Sequence, residues 1–189
     1  LAYSAVERID DDLIIEGAPK PETPPGKDKK PKPGNDQPPQ TLPWGVDRID
    51  ADFIWALSTG AGVKVAIMDT GIDTNHPDLK ANVKGGVNTI NPRKNYKDDN
   101  GHGTHVAGTV AALDNEIGVV GVAPQANLYG VKVLDKKGNG WLSDIIEGLD
   151  WCINNDIQVI NMSFGSTSGN LSFEEAIYKV YLAGITQVA

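Results

Sequence analysis

From about residue 43 onward, apolar and polar positions alternate in short blocks, and each block reads as one element. Val63-Lys64-Val65-Ala66-Ile67-Met68 is a mainly apolar run closing on Asp69, which predicts a buried strand. Gly103 to Leu113 is rich in Gly and Ala and apolar nearly all round, which predicts a buried helix that its neighbours approach closely. Ala126 to Leu134 predicts a second strand, with Val131 and Val133 alternating against Lys132. Ser143 is placed to cap a helix running to about Asn155, whose apolar surface comes from Ile145, Ile146, Leu149, Trp151, Cys152 and Ile153. Gln158 to Ser163 is a third strand. Ser172-Phe173-Glu174-Glu175 has the form of a capping box that opens a last helix, Gly184 stops it, and Ile185 to Ala189 begins another strand. Such alternation predicts an α/β fold, a doubly wound parallel sheet with helices on both faces. No internal repeat is present.

The front of the chain differs. Residues 1–16 form an acidic block with strand-like apolar positions. Residues 17–43 hold nine of the twelve prolines, and such a stretch buries too little apolar surface to offset its ordering entropy, so it is an extended connector. The globular part starts near Pro43-Trp44-Gly45-Val46. A length of 189 residues suits one domain with a real core. The net charge of −8, with the Lys27-Asp28-Lys29-Lys30 cluster diluted by acids and prolines, excludes a nucleic-acid partner. Cys152 is the one cysteine, so no intrachain disulfide forms, and its apolar helical setting makes it a buried bystander. No run approaches the ~18 apolar residues of a membrane span. No signal peptide is visible, and the chain begins with Leu1, so an upstream end is expected to have been lost or processed.

Candidate chemistry gathers at two strings. Asp69 ends a buried strand, where reacting groups collect in open α/β sheets, although an Asp that merely starts a turn with Gly71 looks the same. Asp73 is a competing carboxylate on the following turn. His102 lies between Gly101 and Gly103, which keep backbone bulk from its ring, just before a helix N-terminus where it can face Asp69. His105 is expected as a packed core histidine and His76 as a turn residue. A zinc site from His102, His105 and His76 lacks both an H-E-x-x-H motif and a cysteine pair. Asp69-Thr70-Gly71 also suits an aspartic peptidase, but that mechanism needs two such aspartates on an all-β fold. A carboxylate and an imidazole delivered in this way are two members of a Ser-His-Asp machine.

Four strings together carry a resemblance: Val65-Ala66-Ile67-Met68-Asp69-Thr70-Gly71-Ile72-Asp73, His76-Pro77-Asp78-Leu79, Gly101 to Thr109, and Ile160-Asn161-Met162-Ser163-Phe164-Gly165. From about Gln40 to Ala189 the chain resembles the subtilisin-like serine proteases. The resemblance implies serine endopeptidase activity through an acyl-enzyme, with Asp69 as the orienting carboxylate and His102 as the general base. It implies that Gly138-Asn139-Gly140 and Ser163-Phe164-Gly165 clamp an extended polypeptide substrate, and that Leu134, Leu142 and Ile145 line an apolar subsite. By itself, Gly138-Asn139-Gly140 reads as a plain surface turn. The resemblance further implies a structural Ca²⁺ held by carbonyls of Leu113, Ile117 and Val119 with side chains of Asn115, Asp78 and Gln40, all hard oxygen donors. The bare sequence gives that loop only as the end of a helix. Residues 1–16 resemble the tail of an inhibitory propeptide, 17–39 a Pro-rich linker, and 40–189 the N-terminal part of the catalytic domain. A secreted, extracellular monomer, inhibited by its own propeptide and bound to neither membrane nor nucleic acid, is the corresponding expectation.

The chain also departs from that pattern. The family's nucleophile lies roughly 150 residues after its histidine, whereas 87 residues follow His102 here. Ser143, Ser163, Ser166, Ser168 and Ser172 do not stand in the Gly-Thr-Ser-x-Ala setting of that nucleophile. The expectation is a C-terminally truncated fragment that lacks the serine and the oxyanion-hole asparagine and is inactive alone. The alternative is a catalytically dead calcium-binding pseudoenzyme or substrate-binding fragment. Thr186 and Gln187 are polar where a buried strand would be apolar, and a sheet that stops there presents an open edge.

Overall fold

The computed structural model describes residues 11–17, 37–166 and 169–189. Residues 1–10 and 18–36, most of the acidic block and of the Pro-rich segment, lie outside the described residues. In chain order the first elements are β1 (Ile14–Gly17), α1 (Trp44–Arg48), α2 (Ala51–Ile54), β2 (Lys64–Asp69) and β3 (Val83–Asn88). Next come α3 (His102–Ala111), β4 (Asn127–Lys132), β5 (Asn139–Trp141) and α4 (Leu142–Asn154). The last are β6 (Val159–Met162), β7 (Phe164–Gly165), α5 (Leu171–Leu182) and β8 (Thr186–Val188).

Five strands form one parallel sheet in the order β3-β4-β2-β6-β8. Its central strand explains the uninterrupted apolar run in the sequence. Val65 and Ile67 join the core on the face covered by α3, while Ala66 and Met68 join the core under α4 and α5. A strand covered on both faces has no solvent side, so its interior positions from Val65 to Met68 are all apolar. Ala107 and Ala111 of α3 pack with Ile72, Leu79 and Leu128. On the opposite face Ile145, Leu149 and Cys152 of α4, with Ala176 and Val180 of α5, close over Val131 and Ile160. Each fully buried Leu or Ile there is worth about 1.5–3 kcal/mol. The doubly wound α/β architecture expected from the alternation is the one observed.

Several local expectations need correction. The helix at α3 is not apolar all round: Gly103, Ala107 and Ala111 are buried, and His105 is exposed rather than packed in the core. Only one side of α3 meets the sheet. Ser143 does not cap α4 but lies in its first turn, and its amide and hydroxyl donate to the Asp12 carboxylate at 2.8 and 2.6 Å. The cap of α5 is Asn170, two residues before Ser172, with its side-chain oxygen accepting from the Phe173 amide at 3.1 Å. Lys132 is not on a solvent face, since only 5% of it is exposed. In β8, Thr186 is exposed and Gln187 Nε2 donates to the Ile177 carbonyl at 3.1 Å, while Gln187 Oε1 is buried without a hydrogen-bond partner among the described residues.

A second, three-stranded antiparallel sheet has the order β5-β1-β7. The strand from the front of the chain thus lies between two short edges that extend from the main domain. Ile15 pairs with Gly140, and Glu16 pairs with Asn139 on one side and Gly165 on the other.

Candidate active site

The parallel sheet and α3 bring together the two groups that the sequence singles out. Asp69 is the last residue of β2 and is 0% exposed. His102 is the first residue of α3, and its Nδ1 lies 2.9 and 2.8 Å from Oδ1 and Oδ2 of Asp69. The imidazole is 10% exposed, so one edge of the pair reaches the surface. An ionised carboxylate only accepts hydrogen bonds, so Nδ1 carries the proton that joins the pair. In the neutral imidazole Nε2 is then the basic nitrogen. The Thr70 amide also donates to Asp69 Oδ1 at 2.6 Å, fixing the carboxylate from its own turn.

The two glycines beside His102 have different roles in the backbone, Gly101 through its conformation and Gly103 through close approach. Gly101 turns the chain into α3 at φ +104°, a conformation that favours glycine. A Cβ on Gly103 would lie 2.2 Å from the Gly71 carbonyl oxygen and 3.1 Å from Asp69 Cβ, so only glycine lets the first turn of α3 rest on the end of β2. Asp73, the competing carboxylate, is turned elsewhere: it accepts from the Asn75 amide and lies 3.8 Å from Lys97 Nζ. His76 is a turn residue whose Nδ1 accepts from the Asp78 amide. Among the described residues no cluster of three or more His, Cys, Asp or Glu side chains is arranged to hold a metal.

The residues expected to clamp a substrate frame β1. Gly138 accepts from the Gly17 amide at 2.7 Å, and Asn139 and Gly140 pair with Glu16 and Ile15 in β5. Phe164 and Gly165 form β7 on the other side, preceded by Ser163, whose hydroxyl accepts from Asn161 Nδ2 at 2.8 Å. Leu134, Leu142 and Ile145 are buried in one cluster with Ile15.

A third group gathers around the loop after α3. Both oxygens of the buried Asp78 accept hydrogen bonds, Oδ1 from Asn115 Nδ2 at 2.8 Å and Oδ2 from the Val119 amide at 3.0 Å. Gln40 Oε1 accepts from the Asn115 amide at 2.5 Å, and Asn115 Oδ1 accepts from the Ile117 amide at 2.7 Å. The carbonyls of Glu116 and Gly118 are used by the Gln40 and Thr41 amides, whereas those of Leu113, Ile117 and Val119 accept no hydrogen bond among the described residues.

Sequence reasoning missed three participants. Lys132 lies beside Asp69 in the sheet register, and its Nζ donates to the carbonyls of Thr70 and Leu134 at 2.6 and 2.9 Å and to Asp99 at 2.7 Å. Its signal was available, because a lysine inside a strand covered on both faces must find acceptors. Asp98 and Asp12 carried no such signal, as each looks like an ordinary surface acid.

The sequence profile of the subtilase family, peptidase S8, matches residues 60–188, which span both Asp69 and His102. The chain belongs to the subtilase family. It is 50% identical over 150 residues to a thermostable alkaline protease of Halalkalibacterium halodurans, covering 79% of this chain and 41% of that protein. It is 50% identical over 151 residues to subtilisin DY of Bacillus licheniformis, covering 79% of this chain and 54% of that one. It is also 49% identical over 151 residues to subtilisin Savinase of Lederbergia lenta, covering 79% and 55%. The chain thus spans about half the length of the subtilases it matches. No helix among the described residues is long and apolar enough to cross a membrane.

Proposed function

We propose that this subtilase chain carries the acid–base half of a serine endopeptidase that cleaves polypeptides through an acyl-enzyme. The observation that carries the reading is the hydrogen bonding of His102 Nδ1 to a fully buried Asp69 at 2.8–2.9 Å. In this role His102 Nε2 takes the proton of a serine hydroxyl as its oxygen bonds to the scissile carbonyl carbon, then returns that proton to the leaving amine. Asp69 fixes the tautomer and stabilises the imidazolium formed in between. The nucleophilic serine and the oxyanion-hole asparagine are assigned to polypeptide outside these 189 residues, and the chain alone is therefore inactive.

In the same proposal Gly138-Asn139-Gly140 and Ser163-Phe164-Gly165 hold an extended substrate, and Leu134, Leu142 and Ile145 receive one apolar side chain of it. Residues 1–16 act as the tail of an inhibitory propeptide, 17–39 as a linker and 40–189 as the catalytic portion. The insertion of β1 between β5 and β7 supports this, since the chain's own strand then lies where a substrate would. A structural Ca²⁺ fits the loop after α3. The oxygens of Asp78, Asn115 and Gln40 and the unused carbonyls of Leu113, Ile117 and Val119 would hold it, and the ion would tie the loop to the start of the catalytic portion. Secretion and a monomeric state complete the reading.

The test joins the C-terminal remainder of subtilisin Savinase after Ala189 and compares this chimera with the chain alone. The chimera should hydrolyse an extended peptide, lose that activity to a serine-directed fluorophosphonate, and lose about a hundred- to ten-thousand-fold in rate with His102→Ala. Fluorophosphonate-sensitive turnover by the chain alone would overturn the assignment of the nucleophile, and an undiminished His102→Ala chimera that of the base. A chimera that binds the peptide without cleaving it would identify a substrate-binding fragment instead.

A further inference from the structure

We propose that Asp98 is a positioning residue that fixes the geometry of the His102–Asp69 pair. The proposal rests on the reading of that pair as the acid–base half of a peptidase. Asp69 and His102 are carried by different elements, 33 positions apart in sequence, and a misplacement of either would spoil the hydrogen bond that joins them. Asp98 bonds to both elements at once. Its Oδ1 accepts from the Thr70 hydroxyl and from the Asn100 and Gly101 amides, each at 2.9 Å. Its Oδ2 accepts from the Thr104 amide at 3.0 Å and from the Thr104 hydroxyl at 2.5 Å.

Thr70 carries the link onward. Its hydroxyl accepts from the Gly103 amide at 3.0 Å while donating to Asp98, and its amide donates to Asp69. One carboxylate therefore reaches the end of β2 through Thr70 and the first turn of α3 through Thr104, with His102 between. The N-terminus of α3 has no cap from the side chain of Gly101, and Asp98 supplies the acceptors that this turn needs. An anionic acceptor is also favoured there by the helix dipole. Burial of Asp98 pushes its carboxyl up, but the hydrogen bonds from Gly101, Thr104 and Asn100 outweigh it and hold the carboxyl below the ordinary range. The group thus stays ionised and acceptor-only, as five donors require.

The test uses the ¹⁵N-labelled 189-residue chain and reads the His102 Nδ1–H proton by NMR, together with its exchange with water. Asp98→Asn keeps the shape but turns an NH₂ toward the Thr104 amide, and it should speed that exchange about tenfold or more. Asp98→Ala should abolish the resonance. Asn82→Ala is the control, because Asn82 Nδ2 donates to the Ala111 and Pro124 carbonyls at the far end of α3 and touches neither member of the pair. It should lower the melting temperature and leave the His102 signal unchanged. If Asp98→Ala fails to fold, Asp98→Asn decides. Exchange within about twofold of wild type in Asp98→Asn, or equal acceleration in Asn82→Ala, would overturn the role of Asp98. Absence of a hydrogen-bonded Nδ1–H signal from the wild-type chain would instead overturn the pair.

Discussion

The amide of Gly17 donates to the carbonyl of Gly138 at 2.7 Å, closing the last rung between the chain's own N-terminal strand and the edge of β5. At this position a side chain has little room, since a Cβ on Gly17 would lie 3.1 Å from both the Gly138 oxygen and Leu134 Cδ1. Two residues earlier, Ile15 is 4% exposed within the Leu134, Leu142 and Ile145 cluster. The strand is thus held by backbone pairing on both sides and by alternate side chains, one large and one absent.

Gly17→Val is therefore expected to loosen β1 without unfolding the parallel sheet. The branched side chain must displace Leu134 or lengthen the bond to Gly138, and either change costs about 1–3 kcal/mol. Hydrogen exchange would read this as faster exchange of the amides of residues 14–17 with unchanged protection in β2, β4 and β6. Unchanged protection of β1 would refute the steric argument.

How far the sequence could be read depended on whether a residue's partner was local. The strand closing on Asp69 and the parallel alternation were legible because burial on both faces leaves a continuous apolar run. β3 was not, because Lys84, Gly85, Gly86 and Asn88 interrupt every apolar period in Val83–Asn88. The caps of α4 and α5 were misplaced for a related reason. Ser143 looks like a local cap, yet its acceptor is Asp12, 131 positions away. His105 looks buried beside Val106 and Ala107, but a helix packed on one side leaves the opposite residues in water. The approach of His102 to Asp69 could be anticipated from motif order. The network through Asp98, Thr70 and Lys132 could not, since it depends on where the loop of residues 98–101 passes over the strand ends.

The core under α4 makes a separate prediction through Cys152. Burial pushes its thiol up to about 12, and it lies in the cluster with Leu149 and Ile160. A thiol that is neither ionised nor accessible does not attack disulfides or alkylating agents. The native chain should resist a thiol reagent at mildly alkaline pH and react fully in denaturant. Rapid reaction of the folded chain would show that α4 opens readily from the sheet.

Acid sensitivity should trace in part to Asp98, whose carboxyl is held below its ordinary value of 3.8. A carboxyl with a depressed folded value adds stability that is fully present above its unfolded value and lost as pH falls through the folded one. Asp98→Asn should thus lower the urea midpoint near neutral pH and have little effect well below pH 3.8. An equal loss at both ends of that range would mean that the ionised form contributes nothing special.

The calcium proposal predicts a stability that depends on the ion. Asp78 is buried, and among the described residues no lysine or arginine lies within ion-pair distance of it, so its charge is met only by N–H donors. Gly118 follows the same carboxylate closely, because a Cβ there would lie 2.5 Å from Asp78 Oδ2, and its φ of +65° is a conformation that favours glycine. A divalent cation coordinated by oxygens of Asp78, Gln40 and Asn115 would neutralise that charge and join the segment around Gln40 to the loop after α3. At a hundredfold excess over its dissociation constant it would add about 2.7 kcal/mol to unfolding. Calcium should therefore raise the melting temperature and slow nicking between residues 113 and 119, a chelator should reverse both effects, and Asn115→Ala should weaken them. Titration calorimetry showing no binding, with a melting temperature indifferent to calcium and chelator alike, would remove the ion from this loop and leave its organisation to the hydrogen bonds of Asp78, Asn115 and Gln40.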